Sequence, residues 1–337
     1  MADIERERGG GNRRLHKPFL LYGVLCFVFG MTMYMAGVLL VFPRYLLNLH
    51  ALLDPVAEKL VWYSGVPIMI GILLALFDLL YMLQHKKPDV PVRFVPVSNR
   101  RVTVALTAYN DEDSIAGAVD DFLSNPLVER VIVVSNNSGD RTFERAEAAG
   151  AITFNEMAPG YGRCVFRCLT EAARFDDTDY VVLCEGDSTF RAYDIEKLLA
   201  YAPHADIVNG TRTVEPLRQY LTQLSTFMYY GNIFVGKLLE AKHLGRGTIT
   251  DVGTTYKLCR RDALIPLLKQ LNPAVNLEFN AHFLDTALQN DLVLLECPIT
   301  FHPRIGLSKG GNINNWRGLA VGSRMILGLL SDWKRYA

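Results

Sequence analysis

The chain has no excess charge of either sign: 35 basic and 35 acidic side chains balance over 337 residues. A balanced chain has no global attraction for a polyanion, so nucleic acid is not expected among its partners. Its six cysteines contain no CxxC pair and no spacing of a small secreted framework. No zinc site is therefore expected, and the thiols read as buried and reduced, with Cys164 and Cys168 spaced to share a helix face. Internal repeats and low-complexity tracts are also missing, which excludes solenoids and arrays.

Hydrophobic residues, by contrast, make up 50% of the chain and concentrate near its start. Phe19 to Phe42 carries no charge and is long enough to cross a bilayer, and Val61 to Leu83 is similar, with Asp78 near its end. The first run is too long for a cleavable signal and a second follows it, so the expectation is a transmembrane hairpin over residues 18–85 with spans at about 19–42 and 61–83. A pair of buried core helices is the alternative. Arg6, Arg8, Arg13, Arg14 and Lys17 precede the hairpin and Lys86, Lys87, Arg93, Arg100 and Arg101 follow it, whereas the connecting loop has few cations. Both termini are therefore expected on the cytosolic side, whether of a plasma membrane or of the endoplasmic reticulum. Asp78 reads either as a functional intramembrane acid or as a residue at the interface.

Residues 1–17 form a basic segment and 86–100 a proline-rich, charged linker. Strand and helix signals then alternate: strands at Val102–Thr107, Arg130–Ser135, Ala151–Asn155 and Tyr180–Cys184, with helices between them. This alternation predicts an α/β domain over about 101–315 with a doubly wound, mostly parallel sheet. Asp206–Asn209 and Leu292–Glu296 are further strand candidates. Two later stretches, 217–244 and 316–337, are amphipathic with basic flanks and aromatics. Each suits either the domain interior or a membrane surface.

The segment Tyr180–Asp187 is the most informative. An apolar run ends in Glu185-Gly186-Asp187, which places two carboxylates at the carboxyl end of a buried strand, where open α/β sheets bind ligands. Gly186 removes a side chain where something approaches the backbone closely. Two hard oxygen ligands there suit Mg²⁺ or Mn²⁺ bridging a diphosphate, as in a DxD-type nucleotide-sugar site with Glu for the first Asp. Around it, in order, stand Thr107-Ala108-Tyr109-Asn110-Asp111-Glu112, Ser135 to Thr142, and Arg304-Ile305-Gly306-Leu307-Ser308-Lys309. Tyr109 can stack on a base, Asn136 can read a base or ribose edge, and Arg304 and Lys309 can hold an approaching anion.

This ordered set resembles the family 2 glycosyltransferases of GT-A fold, more narrowly the polyprenol-phosphate (dolichol-phosphate-type) sugar transferases. The family's Pro-Ala-Tyr-Asn-Glu-Glu is similar to residues 107–112, its Asp-Asp-Gly-Ser-x-Asp-x-Thr to 135–142, and its Gly-x-Gly helix start to Gly160-Tyr161-Gly162. Its Gly-Ser-Arg is similar to Gly210-Thr211-Arg212, its Asp-x-x-x-Gly-Phe to Asp251–Tyr256, and its closing motif to Arg304, Gly306, Ser308 and Lys309. The resemblance implies a GT-A domain that inverts the sugar as it moves it from a nucleoside diphosphate to a lipid phosphate at the cytosolic membrane face. It also implies roles. Glu185 and Asp187 would hold the metal; Thr107, Ala108, Tyr109, Asp111, Asn136 and Gly186 would surround the nucleotide sugar. Asp187, Arg212, Asp251 and Arg304 would serve catalysis, while Arg218, Arg304, Ser308 and Lys309 would take the acceptor phosphate.

The departures from the pattern are specific. Ser135 and Asn136 replace two aspartates, Glu185 replaces one, and His282 stands near a position where an acid is often found. A phosphate acceptor is already ionised at neutral pH and tolerates the missing base. A lipid hydroxyl acceptor would need one, for which Asp251, Asp285 and His282 are the candidates. A non-catalytic binding module is the third reading. No Gln-x-x-Arg-Trp occurs, which argues against a processive polysaccharide synthase. A homo-oligomer is compatible with all three.

Overall fold

A computed structural model describes residues 17–83, 92–219, 222, 224–306 and 314–333. Arg6 to Arg14, Lys86, Lys87, Ser308, Lys309 and the last four residues lie outside the described residues. The chain divides into two compact units, Met1–Pro88 and Asp89–Ala337.

In the first unit, α1 (Phe19–Leu39) and α2 (Val41–Leu46) lead to α3 (His50–Phe77), which ends in a π-helical turn at Asp78–Met82. The second apolar helix therefore begins at His50, eleven positions before the expected span, because Asp54, Glu58 and Lys59 end the apolar run without ending the helix. Gly23, Gly30 and Gly37 of α1 are buried, as are Ala57, Ser64 and Gly71 of α3 and Asp78 just beyond it. Both sets step by seven, close to two helical turns, so each forms one stripe. Small residues let the backbones meet, as in membrane helix pairs. A Cβ on Gly23 would lie 2.7 Å from the Gly71 carbonyl oxygen, and one on Gly30 would lie 2.8 Å from that of Ser64. The outward side is apolar: Trp62 is 80% exposed and Leu80 68%, an exterior suited to lipid. Asp78 is fully buried. Its carboxylate accepts the Leu20 N–H at 2.7 Å and satisfies an orphan donor in the first turn of α1. Gly71→Leu is expected to lower the thermal midpoint of the full chain in detergent by several degrees, because backbone blocks the new side chain. Gly65→Leu, at a position where an added Cβ meets nothing within 4 Å, serves as the control.

The second unit is built on seven strands: β1 (Val102–Ala108), β2 (Val128–Ser135), β3 (Ile152–Asn155), β4 (Tyr180–Glu185), β5 (Ile207–Thr211), β6 (Lys257–Arg260) and β7 (Leu294–Pro298). Their order is β3-β2-β1-β4-β6-β5-β7. All described pairings are parallel except those of β6. The helices are α4 (Ile115–Leu123), α5 (Thr142–Ala148), α6 (Tyr161–Ala172), α7 (Asp194–Tyr201), α8 (Thr226–Lys242), α9 (Arg261–Leu268), α10 (Phe279–Gln289) and α11 (Asn315–Ser331). Every residue of β1 is buried, as a strand covered on both faces requires. One face of β1 and β4, including Leu106 and Val182, packs with Ile115, Val119 and Phe122 of α4 and Ile195 and Leu198 of α7. Cys164 and Cys168 do share a face of α6, and their thiols point at the Val134 and Leu106 carbonyls of the sheet. β6 escapes a sequence reading because it has four residues and starts and ends on basic side chains.

The two amphipathic stretches become α8 and α11, packed on each other, and each divides its apolar residues between two sides. α8 buries Val235, Leu238 and Leu239 while Phe227, Tyr230 and Phe234 remain exposed. α11 buries Val321, Met325 and Leu329 and leaves Trp316 82% exposed. The far end of α11 is pinned by the fully buried Asp285, which accepts from Trp333 Nε1 at 2.8 Å, Lys242 Nζ at 2.9 Å and His243 Nε2 at 2.6 Å.

Candidate active site

The strand ends converge on one cavity of about 820 Å³, lined among others by Thr107, Ala108, Tyr109, Asp111, Asn136, Glu185, Asp187, Arg212 and Arg304. Local backbone brings them there. Asn110, Asn137 and Ser188 follow β1, β2 and β4 with φ of 51°, 53° and 65°, the left-handed region that turns a chain sharply. Asparagine tolerates it well, whereas serine is strained there. Gly160 caps α6 at φ 134°, and a Cβ on Gly162 would lie 1.7 Å from the Val275 carbonyl oxygen, so the Gly-Tyr-Gly start is demanded by geometry. Gly186 is also a close approach, but to protein. Its missing Cβ would lie 2.5 Å from Ile115 Cδ1, and it is not among the cavity-lining residues.

Asp187 is 2% exposed and accepts from the Thr189 N–H at 3.0 Å and its hydroxyl at 2.5 Å. Arg304 spans the cleft, donating to Asp111 at 2.7 Å and lying 3.0 Å from Asp187. Burial, and then the neighbouring Glu185, still push the Asp187 carboxyl up to about 7 despite that guanidinium. The floor of the cleft thus carries more negative charge than its own cation neutralises. That is a fit for a hard divalent cation on Asp187 and Glu185. Among the described residues no group of three or more His, Cys, Asp or Glu could hold a metal, so further ligands would have to come from a bound diphosphate.

Glu185 is held from behind. Its Oε1 accepts from Thr255 at 2.6 Å; Thr255 bonds the Tyr161 hydroxyl at 2.5 Å, and Asn280 donates to Tyr161 and accepts from Lys257. Lys257 is fully buried, and desolvation lowers its pKa to about 7. None of Tyr161, Thr255, Lys257 and Asn280 stands out in the sequence as a functional residue. The only local signals are the position of Tyr161 between two glycines and the threonine pair in the 251–256 segment.

Asp251 does not face the cavity. It is fully buried and holds Arg212 in a fork, Nε at 2.7 Å and Nη2 at 2.7 Å, with Asn232 Nδ2 at 2.6 Å. Burial alone would raise its pKa, but Arg212 outweighs burial and the net shift is downward. Asp251 is therefore a positioning residue for the Arg212 guanidinium, which does line the cavity. The amide of Asn136 is committed to backbone: it donates to Glu156 and Ala158 carbonyls and accepts the Gly160 N–H. It braces the loop into α6, and no side-chain donor or acceptor of Ser135 replaces the missing acid, since its hydroxyl bonds Ser138. Arg218 pairs with Glu215 at 2.7 Å and lies over the Tyr229 ring; it is not itself among the lining residues, although its backbone is bridged to the lining residue Phe301. His282 is likewise elsewhere, accepting the Asn272 N–H and set against Trp333, with burial lowering its pKa to about 4. His302 bonds the Tyr193 hydroxyl at 2.8 Å.

A parallel-rich sheet with carboxylates at the end of its fourth strand, facing basic residues from later in the chain, is a GT-A fold. Residues 103–268 match the family described as glycosyl transferase family 2, and the domain belongs to that family. Among curated relatives, the low-salt glycan biosynthesis hexosyltransferase Agl6 of Haloferax volcanii is 26% identical over 61% of this chain, which spans only 48% of that relative's length. The dolichyl-phosphate hexose transferase of the same organism is 26% identical over 62% of this chain and 86% of its own. Among solved structures, glucosyl-3-phosphoglycerate synthase of Mycobacterium tuberculosis, bound to Mn²⁺, UDP-glucose and phosphoglyceric acid, superposes with a TM-score of 0.51 at 19% identity. That match covers 70% of this chain and 80% of that one and shows a shared fold.

Proposed function

We propose that this protein moves a sugar from a nucleoside diphosphate to the phosphate of a polyprenyl lipid at the cytosolic face of a membrane. The observation that carries this reading is the mixed lining of a single cavity. It includes the charged Asp111, Glu185, Asp187, Arg212 and Arg304 and the apolar Leu224, Phe227, Met228, Phe234, Leu319 and Ile326. A nucleotide sugar has no use for the apolar set, and a lipid tail has none for the charged one.

Asp187 and Glu185 would hold a divalent cation, which supplies charge to the departing diphosphate. The relative named a dolichyl-phosphate hexose transferase and the fold neighbour's Mn²⁺ and UDP-glucose support the same assignment. Arg212, oriented by Asp251, and Arg304 would bind phosphate oxygens, and the site would align an acceptor oxygen with the anomeric carbon. One acceptor P–O⁻ oxygen bonds to that carbon as the bond to the diphosphate breaks, which inverts the centre and releases a nucleoside diphosphate. The three candidate bases a hydroxyl acceptor would need are Asp251, Asp285 and His282, and none lines the cavity. That favours an acceptor already ionised. The apolar hairpin with basic flanks supports membrane attachment with cytosolic termini.

The full chain in detergent, given Mn²⁺ or Mg²⁺ and a panel of UDP- and GDP-hexoses, is expected to convert polyprenyl phosphate and not polyprenol, with the product read by mass spectrometry. Transfer to polyprenol alone would establish the glycolipid alternative. Absence of any donor binding would leave a binding module.

A further inference from the structure

We propose that Thr255 is a positioning residue for Glu185: its hydroxyl fastens one carboxylate oxygen, Oε1, behind the cavity wall and leaves Oε2 as the single oxygen this glutamate offers to a divalent cation. This rests on the metal reading of Asp187 and Glu185 and names what adapts the longer acid to that task.

Two departures from the motifs this chain resembles meet in space. Glu185 stands where the acidic pair has aspartate, and Thr255 stands at the glycine of Asp-x-x-x-Gly-Phe. The sheet brings them together. β6 runs antiparallel to β4 with Lys257 opposite Leu183, so two residues further along the same register Thr255 faces Glu185. The Thr255 hydroxyl donates to Glu185 Oε1 at 2.6 Å. A glycine has no hydroxyl to give, and an aspartate is one methylene shorter, so either residue of the resembled motifs would lose the contact. Glutamate also has one more rotatable bond than aspartate, and fixing Oε1 removes that freedom before a ligand arrives.

The direction of the hydrogen bonds is set from both ends. An ionised Glu185 can only accept, so the one hydroxyl proton of Thr255 goes to it. The Tyr161 hydroxyl, 2.5 Å away, must therefore donate to Thr255 Oγ1. Asn280 Nδ2 donates to that tyrosine at 3.1 Å, and its Oδ1 accepts from Lys257 Nζ at 3.2 Å. Among the described residues Lys257 Nζ meets only acceptors, this oxygen and the Thr254 carbonyl, so it donates in either protonation state. Every bond from Lys257 to Glu185 then points the same way, and the chain of donors ends on Oε1. Thr255 is 1% exposed and does not line the cavity, whereas Glu185 does. Glu185 Oε2 has no hydrogen-bond partner among the described residues, which leaves it available on the cavity side.

The test is Mn²⁺ binding to the metal-free full chain in detergent at pH 8, read from the electron paramagnetic resonance signal of free Mn²⁺. Thr255→Val, which keeps the shape and loses the hydroxyl, and Thr255→Ala are each expected to weaken Mn²⁺ binding about tenfold, and Thr255→Ser to keep it. In a Glu185→Asp background the shorter acid does not reach the hydroxyl, so Thr255→Val should cost nothing further. Thermal midpoints without metal check that each variant is folded. A folded Thr255→Val or Thr255→Ala that binds Mn²⁺ like the parent overturns the positioning role, as does an equal loss in the Glu185→Asp background. Asp187→Asn separates that failure from failure of the metal reading. Mn²⁺ binding unmoved by Asp187→Asn refutes the metal assignment and this role with it. Binding lost in Asp187→Asn and kept in Thr255→Val refutes this role alone.

Discussion

Asp187→Asn is expected to cut sugar transfer by about 10³-fold or more, because it removes the charged ligand from the buried end of the carboxylate pair. The same change should not unfold the protein. Burial and Glu185 raise this carboxyl from the ordinary 3.8 to about 7. Between those values the folded state keeps a proton that the unfolded state gives up, so this group's contribution to stability falls as pH rises through the window. An amide pays no such cost. The metal-free variant should therefore melt at or above the parent's temperature at pH 8 and show less loss of stability between pH 5 and 8. Thermal scans of the full chain at several pH values, alongside the transfer assay, read both effects. An Asp187→Asn protein that transfers sugar normally would remove the metal assignment. One that melts far lower would mean that the pair with Arg304 matters more to folding than the buried charge costs.

Asp251→Ala is expected to be the most damaging substitution to stability in the site, at about 3–5 kcal/mol, because it strands a buried guanidinium. Arg212 is 7% exposed and, among the described residues, its guanidinium donates its hydrogen bonds to this one carboxylate, which is itself fully buried. Breaking such a pair costs more than never having had it, so Asp251→Ala with Arg212→Met should recover much of the lost stability. The double variant should still fail in transfer, since the cation facing the cavity is gone. Melting temperatures of the two singles and the double give the coupling, and transfer rates separate support from chemistry. A double variant that is both stable and active would show that Arg212 is structural only.

Much of the site was legible because polar residues follow apolar runs directly. Thr107–Glu112 and Glu185–Asp187 sit at strand ends because β1 and β4 are continuous buried runs, and in a parallel sheet such ends share one edge. The sequence was less informative where burial reverses a residue's meaning. Asp251 and Asn136 look like ligand contacts from their types and motifs. Their partners, Arg212 and the 156–160 backbone, instead absorb the charge of one and the amide of the other. Arg218 looked like an anion site, yet Glu215, three residues earlier, neutralises it. The hairpin was legible from hydropathy, but not its seam, because the small residues at 23, 30, 37 and 57, 64, 71 acquire meaning only when paired across two helices.

Local order along the chain determined the class of sheet, the acidic turn at its active edge and the apolar helices before it, because strand period, turn chemistry and hydrophobic length are short-range properties. Which of the acids and cations remain available was decided only by the tertiary structure. Arg304 reaches Asp111 from 193 residues away, and Lys257 and Asn280 come from separate elements to steady Glu185. Desolvation and pairing act through space, so the charge a side chain presents to a ligand depends on neighbours that the sequence does not place beside it.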